Sequence, residues 1–345
     1  MLPPRQANDK YFPNKQIQCA YRSIFIERRK RFKTELFFIL ILDLNTNLRQ
    51  KNLLNKKITI LGCGYLGTAI AKKCLFKGWQ VTALTRNMDT AKKLEGFGVK
   101  KVVVCEIADP SWHTQVSPEQ DYVVNCVGAA SRSLDGYRDS YLSGQKSAIE
   151  WIKNGSIQSY LFTSSTSVYP QSNGEWVDEN SSNVGCSERA EILLDAERVS
   201  LHATKVSTFS YILRLAGIYG PNRHVLINKM KSGETYDGNS SRVLNLIHRD
   251  DAVDAILSCL RAENKGTGGI YNVTDNAAST RGEITDWLSK RLNLDRPKYL
   301  ENDSVDTPNR KVSNRKIVNE IDWNPNFPSY REGYESILKD SEEII

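Results

Sequence analysis

Residues 58–67 read Ile-Thr-Ile-Leu-Gly-Cys-Gly-Tyr-Leu-Gly, a short apolar run followed by glycines at G-x-G-x-x-G spacing. The run predicts a buried strand, and the apolar residues that recur after it at helical spacing predict a helix from Tyr65 to Lys77. Between a strand and a helix, such glycines permit a tight turn, let the backbone approach a pyrophosphate and let the two elements pack closely. The segment therefore predicts a dinucleotide site formed by Gly62, Gly64, Tyr65, Leu66 and Gly67. A purely structural glycine turn is the alternative.

Short apolar runs alternate with amphipathic stretches from this segment to about residue 215. Further strands are predicted at Gln80–Leu84, Val102–Val104, Tyr122–Cys126, Tyr160–Phe162 and Tyr211–Leu215, and two of the helices at Gln145–Lys153 and Glu188–Leu201. This alternation is typical of an α/β fold with a doubly wound parallel sheet. We expect a Rossmann domain over residues 56–225. We also expect a smaller C-terminal substrate-binding subdomain over residues 226–345 that returns a strand to the sheet.

The positive charge of the chain is concentrated near its N-terminus. Through Lys57 there are 13 Lys or Arg and 4 Asp or Glu, an excess of 9, so the formal charge of +7 leaves −2 for the remainder. Residues 1–55 lack helical or strand periodicity, and we expect a loosely ordered basic extension there. Their one apolar run, Leu36–Leu42, is shorter than the roughly 20 residues that a membrane helix needs. Signal and transit peptides fit poorly, and a translation start near Leu53 or Leu54 is an alternative.

The rest of the composition argues against several classes of function. A body with no net positive charge does not predict binding to nucleic acid or to an anionic membrane. The seven cysteines are scattered without a C-x-x-C pair, and no two of the four histidines stand at i, i+4 spacing. Reduced thiols, no metal site and a cytoplasmic location are therefore the expectations.

The choice of cofactor depends on the end of the second predicted strand. An acid there would accept a hydrogen bond from the ribose 2′-OH of NAD, but residues 83–87 read Ala-Leu-Thr-Arg-Asn. A guanidinium at Arg86 suits the 2′-phosphate of NADP, so we expect NADP, with NAD as the alternative. If Arg86 is only a solvated surface charge, this preference disappears. After the third strand, Glu106 and Ile107 are predicted to border the adenine, and Val127-Gly128-Ala129 after the fourth strand to run beneath the cofactor.

Three later segments carry a resemblance to a known family. Residues 163–169 read Thr-Ser-Ser-Thr-Ser-Val-Tyr, residues 213–221 read Leu-Arg-Leu-Ala-Gly-Ile-Tyr-Gly-Pro, and residues 245–252 read Asn-Leu-Ile-His-Arg-Asp-Asp-Ala. Together with the glycine segment, and in this order, they resemble the extended short-chain dehydrogenase/reductases, also called the NAD-dependent epimerase/dehydratase family. The likeness runs from about Lys56 to Leu338 and is strongest to the atypical, YeeZ-like branch.

The resemblance implies a catalytic apparatus that this sequence contains only in part. The family uses a Ser or Thr after the fifth strand, which Ser165 matches, and a Tyr-x-x-x-Lys pair on the next helix whose Tyr exchanges a proton with the substrate. Here the corresponding positions are Arg189 and Leu193, so the usual proton relay is missing. Tyr169 and His224 are the candidate replacement acids. Each of these residues also has a simpler interpretation, in packing or in capping a turn.

By analogy with the family, the substrate is bound by Ser165, Arg223, His224 and Arg242. Two arginines and a histidine suit an anionic ligand, such as a phosphorylated or nucleotide-linked metabolite. The leading hypothesis is an NADP-dependent oxidoreductase or epimerase-like enzyme for a small carbonyl or alcohol. The alternative is a regulatory protein that binds NADP(H) but has lost catalysis. The resemblance is also compatible with a homodimer formed through the helices near Gln145 and Glu188.

Overall fold

The computed structural model describes residues 55–205, 207–261, 268–300 and 307–342. The predicted N-terminal extension, residues 1–55, lies outside these ranges except for Asn55. The strands are β1 (Lys57–Leu61), β2 (Gln80–Thr85), β3 (Lys101–Val104), β4 (Gln120–Asn125), β5 (Ile157–Ser165), β6 (Trp176–Val177), β7 (Ser207–Leu215), β8 (Gly217–Tyr219), β9 (Tyr236–Asp237), β10 (Val243–Leu244), β11 (Leu246–His248), β12 (Gly268–Val273), β13 (Ser279–Thr280), β14 (Tyr299–Leu300) and β15 (Lys311–Val312).

The helices of the described residues alternate with the long strands. The α-helices are α1 (Tyr65–Phe76), α2 (Met88–Gly96), α3 (Leu134–Tyr137), α4 (Gly144–Ile152), α5 (Glu188–Ser200), α6 (Val225–Lys231), α7 (Arg249–Arg261), α8 (Arg281–Leu292), α9 (Arg315–Ile321) and α10 (Tyr330–Glu342). A π-helical segment, Arg138–Ser143, joins α3 to α4, and short 3₁₀ turns occur at Pro110–Trp112, Thr166–Val168 and Leu201–Lys205. Within the described residues, no helix is both long and apolar enough to cross a membrane.

The long strands form one parallel sheet in the order β12-β7-β5-β4-β1-β2-β3. Successive side chains of a strand point to opposite faces, and both faces of this sheet are covered. In β1, Ile58 and Ile60 pack in the apolar core on the side of α1 and α7, whereas Leu61 packs on the side of α4. All three side chains are fully buried. The α/β, doubly wound fold class predicted from sequence is therefore confirmed.

The order of the strands reverses at β1. From β1 the chain moves outward through β2 and β3, and then returns to place β4 on the other side of β1. Ligands of open α/β sheets bind at such a switch point, outside the carboxyl ends of the strands. The topology of the sheet therefore predicts a ligand site at the loops after β1 and β4.

The C-terminal part contributes to the main sheet as well as forming a core of its own. β12, whose position no sequence pattern located, pairs with β7 at the edge of the sheet, and α7 packs against α1. Asn245 separates two short strands, β10 and β11, of which β11 pairs with β8. A separate apolar cluster joins Tyr219, Ile284 and Tyr334 with their neighbours, and this cluster lies entirely after β7.

Candidate functional site

The glycine segment forms the tight turn between β1 and α1, and its glycines have different reasons to be there. Gly62 has φ +90°, and a Cβ at this position would lie 2.5 Å from Cα of Val127. A Cβ at Gly67 would lie 2.6 Å from the carbonyl oxygen of Gly62, so helix and strand could not approach as they do. At Gly64, in contrast, a Cβ would meet no described atom within 4 Å. Packing therefore requires Gly62 and Gly67, whereas Gly64 leaves the backbone open toward the cavity.

Backbone hydrogen bonds fix the glycine turn against the neighbouring strand. The N–H groups of Gly62 and Cys63 both donate to the carbonyl oxygen of Leu84, at 3.0 and 2.9 Å, which ties the turn to the end of β2. Among the residues that the structure describes, no side chain caps the N-terminus of α1, whose N-cap residue is Gly64. The first N–H groups of a helix carry the positive end of its dipole and bind anions readily.

A cavity of about 640 Å³ extends from this turn along the carboxyl ends of the strands. Of the residues predicted to bind the cofactor, those lining it are Gly62, Gly64, Tyr65, Leu66, Arg86, Glu106, Ile107, Val127, Gly128 and Ala129. Gly67 is not in the lining, because it packs behind the turn. The structure thus brings together predicted cofactor residues from four separate segments, those after β1, β2, β3 and β4.

At one end of the cavity, Arg86 and Glu106 face each other. Nη1 of Arg86 lies 3.9 Å from Oε1 of Glu106, and both side chains are exposed. Nη2 of Arg86 also donates to the carbonyl oxygen of Ala130, at 3.5 Å. A guanidinium and a carboxylate therefore stand side by side where a ribose 2′ substituent would lie in a Rossmann domain.

The other end contains two serines with opposite hydrogen-bonding roles. Oγ of Ser165 accepts the N–H of Ser167 at 3.1 Å, which leaves its own proton to donate. Oγ of Ser164 donates to Oε1 of Glu197 at 2.6 Å, so its proton is committed to the carboxylate. Both serines line the cavity. The hydroxyl of Ser165 is therefore able to donate a hydrogen bond into the cavity, whereas that of Ser164 is able only to accept one.

Behind Ser164 lies a buried ion pair that sequence reasoning missed. Nε and Nη2 of Arg214 donate to the two oxygens of Glu197, at 3.0 and 2.7 Å, and both side chains are less than 5% exposed. A charged residue within the apolar strand Ser207–Leu215 was the available signal, since a buried arginine needs an acidic partner. The position of that partner on α5 could not be read from the pattern.

The two candidate acids, Tyr169 and His224, are not among the residues that line the cavity. Tyr169 is fully buried, donates to Oδ1 of Asn272 at 2.8 Å and accepts from Nη1 of Arg214 at 2.9 Å. Burial raises the pKa of its phenol. His224 is the N-cap residue of α6 and is half-buried. Their catalytic roles remain sequence-based predictions.

The cavity has a phenol that the sequence patterns did not single out. Tyr141 lines it from the π-helical segment Arg138–Ser143. Burial raises the pKa of Tyr141, and the neighbouring Tyr137 adds to the effect, whereas the N–H of Ala129 opposes it. The phenol is therefore protonated at neutral pH. Single π-turns within helices often occur at functional sites.

Of the predicted substrate residues, Ser165 and Arg223 line the cavity but Arg242 does not. Arg242 lies near Arg310, a further residue that the sequence patterns did not single out. Nη2 of Arg310 donates to the carbonyl oxygen of Thr166 at 2.8 Å, directly after Ser165. Burial, with the charge of Arg242, lowers the pKa of Arg310 to about 10. Within the described residues, no group of three or more His, Cys, Asp or Glu side chains is arranged to hold a metal ion.

A parallel sheet with a glycine turn at its switch point defines the Rossmann class of domains. The sequence profile of the NAD dependent epimerase/dehydratase family matches residues 58–274, and the chain belongs to this family. The resemblance recognised in the sequence is therefore confirmed.

Individual proteins agree with this assignment. Protein YeeZ of Escherichia coli strain K12 is 29% identical over 279 residues, which are 79% of this chain and 97% of that protein. Among solved structures, a functionally unknown conserved protein from Silicibacter pomeroyi has a TM-score of 0.65 and 20% identity, covering 83% of this chain and 99% of its own. UDP-glucuronic acid 4-epimerase from Bacillus cereus, in complex with UDP-glucuronic acid and NAD, has a TM-score of 0.70 and 17% identity. The match covers 84% of this chain and 100% of the epimerase chain. At these identities the two structures establish the shared fold.

Proposed function

We propose that the chain binds a nicotinamide dinucleotide across the carboxyl edge of its sheet. The observation that carries this proposal is the continuity of one cavity, whose lining includes Arg86 at one end, the glycine turn in the middle and Ser165 at the other end. The pyrophosphate would lie at the N-terminus of α1, the adenosine toward Arg86 and the nicotinamide toward the serines. The NAD in the Bacillus cereus epimerase structure supports this type of ligand.

Arg86 is the basis for proposing NADP(H) over NAD(H). A charge-assisted hydrogen bond to the 2′-phosphate contributes about 1.5–3 kcal/mol, or roughly 10- to 150-fold in affinity. Calorimetric titration should therefore show that Arg86→Ala lowers the affinity for NADPH by at least about tenfold and leaves the affinity for NADH unchanged. Arg198→Ala is the matched control, because Arg198 is an exposed guanidinium paired with Asp195 on the outer face of α5. Equal binding of both cofactors, unaffected by Arg86→Ala, would refute the preference.

Glu106 offers a second test of the same end of the cavity. Its carboxylate is 3.9 Å from the Arg86 guanidinium. At this position it would repel a 2′-phosphate but would accept a hydrogen bond from a 2′-OH. Glu106→Gln should consequently bind NADPH more tightly and NADH less tightly than the wild type. A shift of both affinities in the same direction would contradict this placement.

We further propose oxidoreductase or epimerase-like chemistry on a small or nucleotide-linked carbonyl or alcohol. The bound nicotinamide supplies the hydride acceptor or donor. Ser165 donates a hydrogen bond to the substrate oxygen and orients it, while Tyr141, a protonated phenol in the cavity lining, gives one proton to that oxygen on reduction or takes it back on oxidation. Arg310, which contacts the residue after β5, and the neighbouring Arg242 favour an anionic substrate.

The catalytic assignments are separable from cofactor binding. Ser165→Ala and Tyr141→Phe should lower kcat, followed by nicotinamide absorbance, with little change in NADPH affinity. Ser167→Ala is the matched control, since this neighbouring serine is exposed and contacts Ser165 through its backbone N–H. Unchanged turnover in both variants would remove the assignment.

A regulatory protein that binds NADP(H) without turnover is the second candidate. It is favoured by α5, whose residues Glu188–Ser200 include neither Tyr nor Lys, and by the burial of Tyr169 away from the cavity lining. A broad panel of carbonyl compounds and nucleotide sugars distinguishes the two functions. Absence of turnover with tightly bound NADPH would support the regulatory role over the enzymatic one.

A further inference from the structure

Arg223 lies in the loop between β8 and α6, and a tight turn holds its position. The N–H of Gly220 donates to the carbonyl oxygen of Arg223 at 3.1 Å, and the N–H of Arg223 donates to the carbonyl oxygen of Gly220 at 2.9 Å. Asn222, between them, has φ +62°, a conformation that asparagine tolerates better than most residues. The backbone of Arg223 is thus fixed, although its side chain is exposed.

This loop is fastened to the glycine turn through Tyr65. Oη of Tyr65 donates to the carbonyl oxygen of Pro221 at 2.9 Å. The guanidinium of Arg223 lies over the ring of Tyr65, 5.4 Å from its centre. Because Tyr65 is the first residue of α1, the contact holds Arg223 beside the N-terminus of that helix, and both residues line the cavity.

The charge of Arg223 has no acidic partner among the described residues, whereas a second arginine on the same ring does. Arg249 also lies 5.4 Å from the centre of the Tyr65 ring, but its Nε donates to Oδ1 of Asp250 at 2.8 Å. Arg249 borders a neighbouring depression and is not in the lining of the glycine-turn cavity. Two arginines therefore stack on one tyrosine, and only Arg223 presents an uncompensated positive charge to the cavity.

The glycine turn itself provides little charge for a pyrophosphate. Residues 62–68 contain no Lys or Arg, and a helix N-terminus is equivalent to only about half of a positive charge. The pyrophosphate of a dinucleotide carries two negative charges, so the helix end balances only part of them. The planar guanidinium of arginine matches phosphate oxygens with two parallel N–H groups.

We propose that Arg223 binds the pyrophosphate of the dinucleotide from beside the glycine turn, at the N-terminus of α1. This replaces the role in substrate binding that the family analogy implied, and it rests on the proposed cofactor site. Tyr65 is then a positioning residue, because its ring and its hydroxyl hold the loop of Arg223 against the turn.

Calorimetric titrations of Arg223→Gln with NADPH, NADH and ADP-ribose test this assignment. All three ligands contain the pyrophosphate, so we expect each to lose about 10- to 100-fold in affinity. Arg86→Ala should instead affect NADPH alone. Arg249→Gln is the matched control and should change none of the three affinities by more than about twofold. Because Arg223 is exposed, thermal unfolding of Arg223→Gln should coincide with that of the wild type.

The outcomes separate this inference from the proposed function. If the wild type binds neither NADPH nor NADH, the cofactor site itself is refuted. If the wild type binds either ligand and Arg223→Gln binds it equally well, the cofactor site stands and the role of Arg223 at the pyrophosphate is refuted. Loss of NADPH affinity with unchanged NADH affinity would place Arg223 at the 2′-phosphate and would also overturn the inference.

Discussion

Glu197→Gln should be among the most destabilising conservative changes in this chain. The Glu197 carboxylate accepts two N–H groups of Arg214 and the hydroxyl of Ser164, at 2.6–3.0 Å, and the ion pair is less than 5% exposed. A Gln at this position keeps the shape but removes the charge, and its amide donors meet the donors of Arg214. The guanidinium then stays buried without a counter-charge.

The size of the effect follows from that burial. Removing one partner of a buried ion pair costs about 3–5 kcal/mol, because the remaining charge has lost its solvation without compensation. For a large single domain, each kcal/mol lowers Tm by roughly 2–4 °C. The expected fall in Tm is therefore about 6–20 °C.

A second arginine–glutamate pair provides the matched control. Arg291 donates to both oxygens of Glu335, at 2.9 and 3.1 Å, in nearly the same two-pronged geometry, but this pair is about one-third exposed. Since water and salt screen it, Glu335→Gln should leave Tm almost unchanged. Differential scanning calorimetry of the two variants measures the contrast directly. Equal shifts for Glu197→Gln and Glu335→Gln would refute the argument from burial.

Two further outcomes follow from the geometry. Gly62→Ala should lower Tm because its Cβ would clash with Val127 at a positive φ, whereas Gly64→Ala should leave Tm unchanged and weaken the binding of both NADPH and NADH, as calorimetry and titration would show. Asp275 is 4% exposed, and burial, with the charges of Asp251 and Glu332, raises the pKa of its carboxyl from 3.8 to about 8. The folded state therefore holds a proton that the unfolded state releases, so this contribution to stability is complete below pH 4 and is lost as the pH rises to 8. Asp275→Asn, which is neutral throughout, should gain in Tm relative to the wild type between pH 5 and pH 8, and a constant difference over that range would count against the raised pKa.

The parts predicted correctly are those whose signal is local. The strand, turn and helix at residues 58–76 can be read from neighbouring side chains, because apolar periodicity and glycine spacing act within a few residues. The main-sheet strands from β2 to β7 were located for the same reason. β12 was missed, since its run is short and Gly268 and Gly269 weaken the strand pattern.

The missed parts of the site depend on contacts between distant segments. Arg214 reaches Glu197 across 17 residues, and Tyr169 reaches Asn272 across 103. Tyr169 follows Ser165 so closely that it was a natural candidate acid, yet the 3₁₀ turn Thr166–Val168 lies between them and Tyr169 is buried. Tyr141 lines the cavity instead. Neither the burial of Tyr169 nor the position of Tyr141 can be read from the local spacing of apolar residues.

The amino-acid sequence alone determined the class of fold, the turn at which an anion can bind and the lack of a Tyr-x-x-x-Lys pair, because these depend on residue type and short-range spacing. Tertiary structure decided which side chains share the cavity, which serine donates and which accepts, and which of the two arginines on Tyr65 keeps a free charge. Hydrogen bonding and burial are properties of atoms that packing brings together, and the distance between residues along the chain does not specify them.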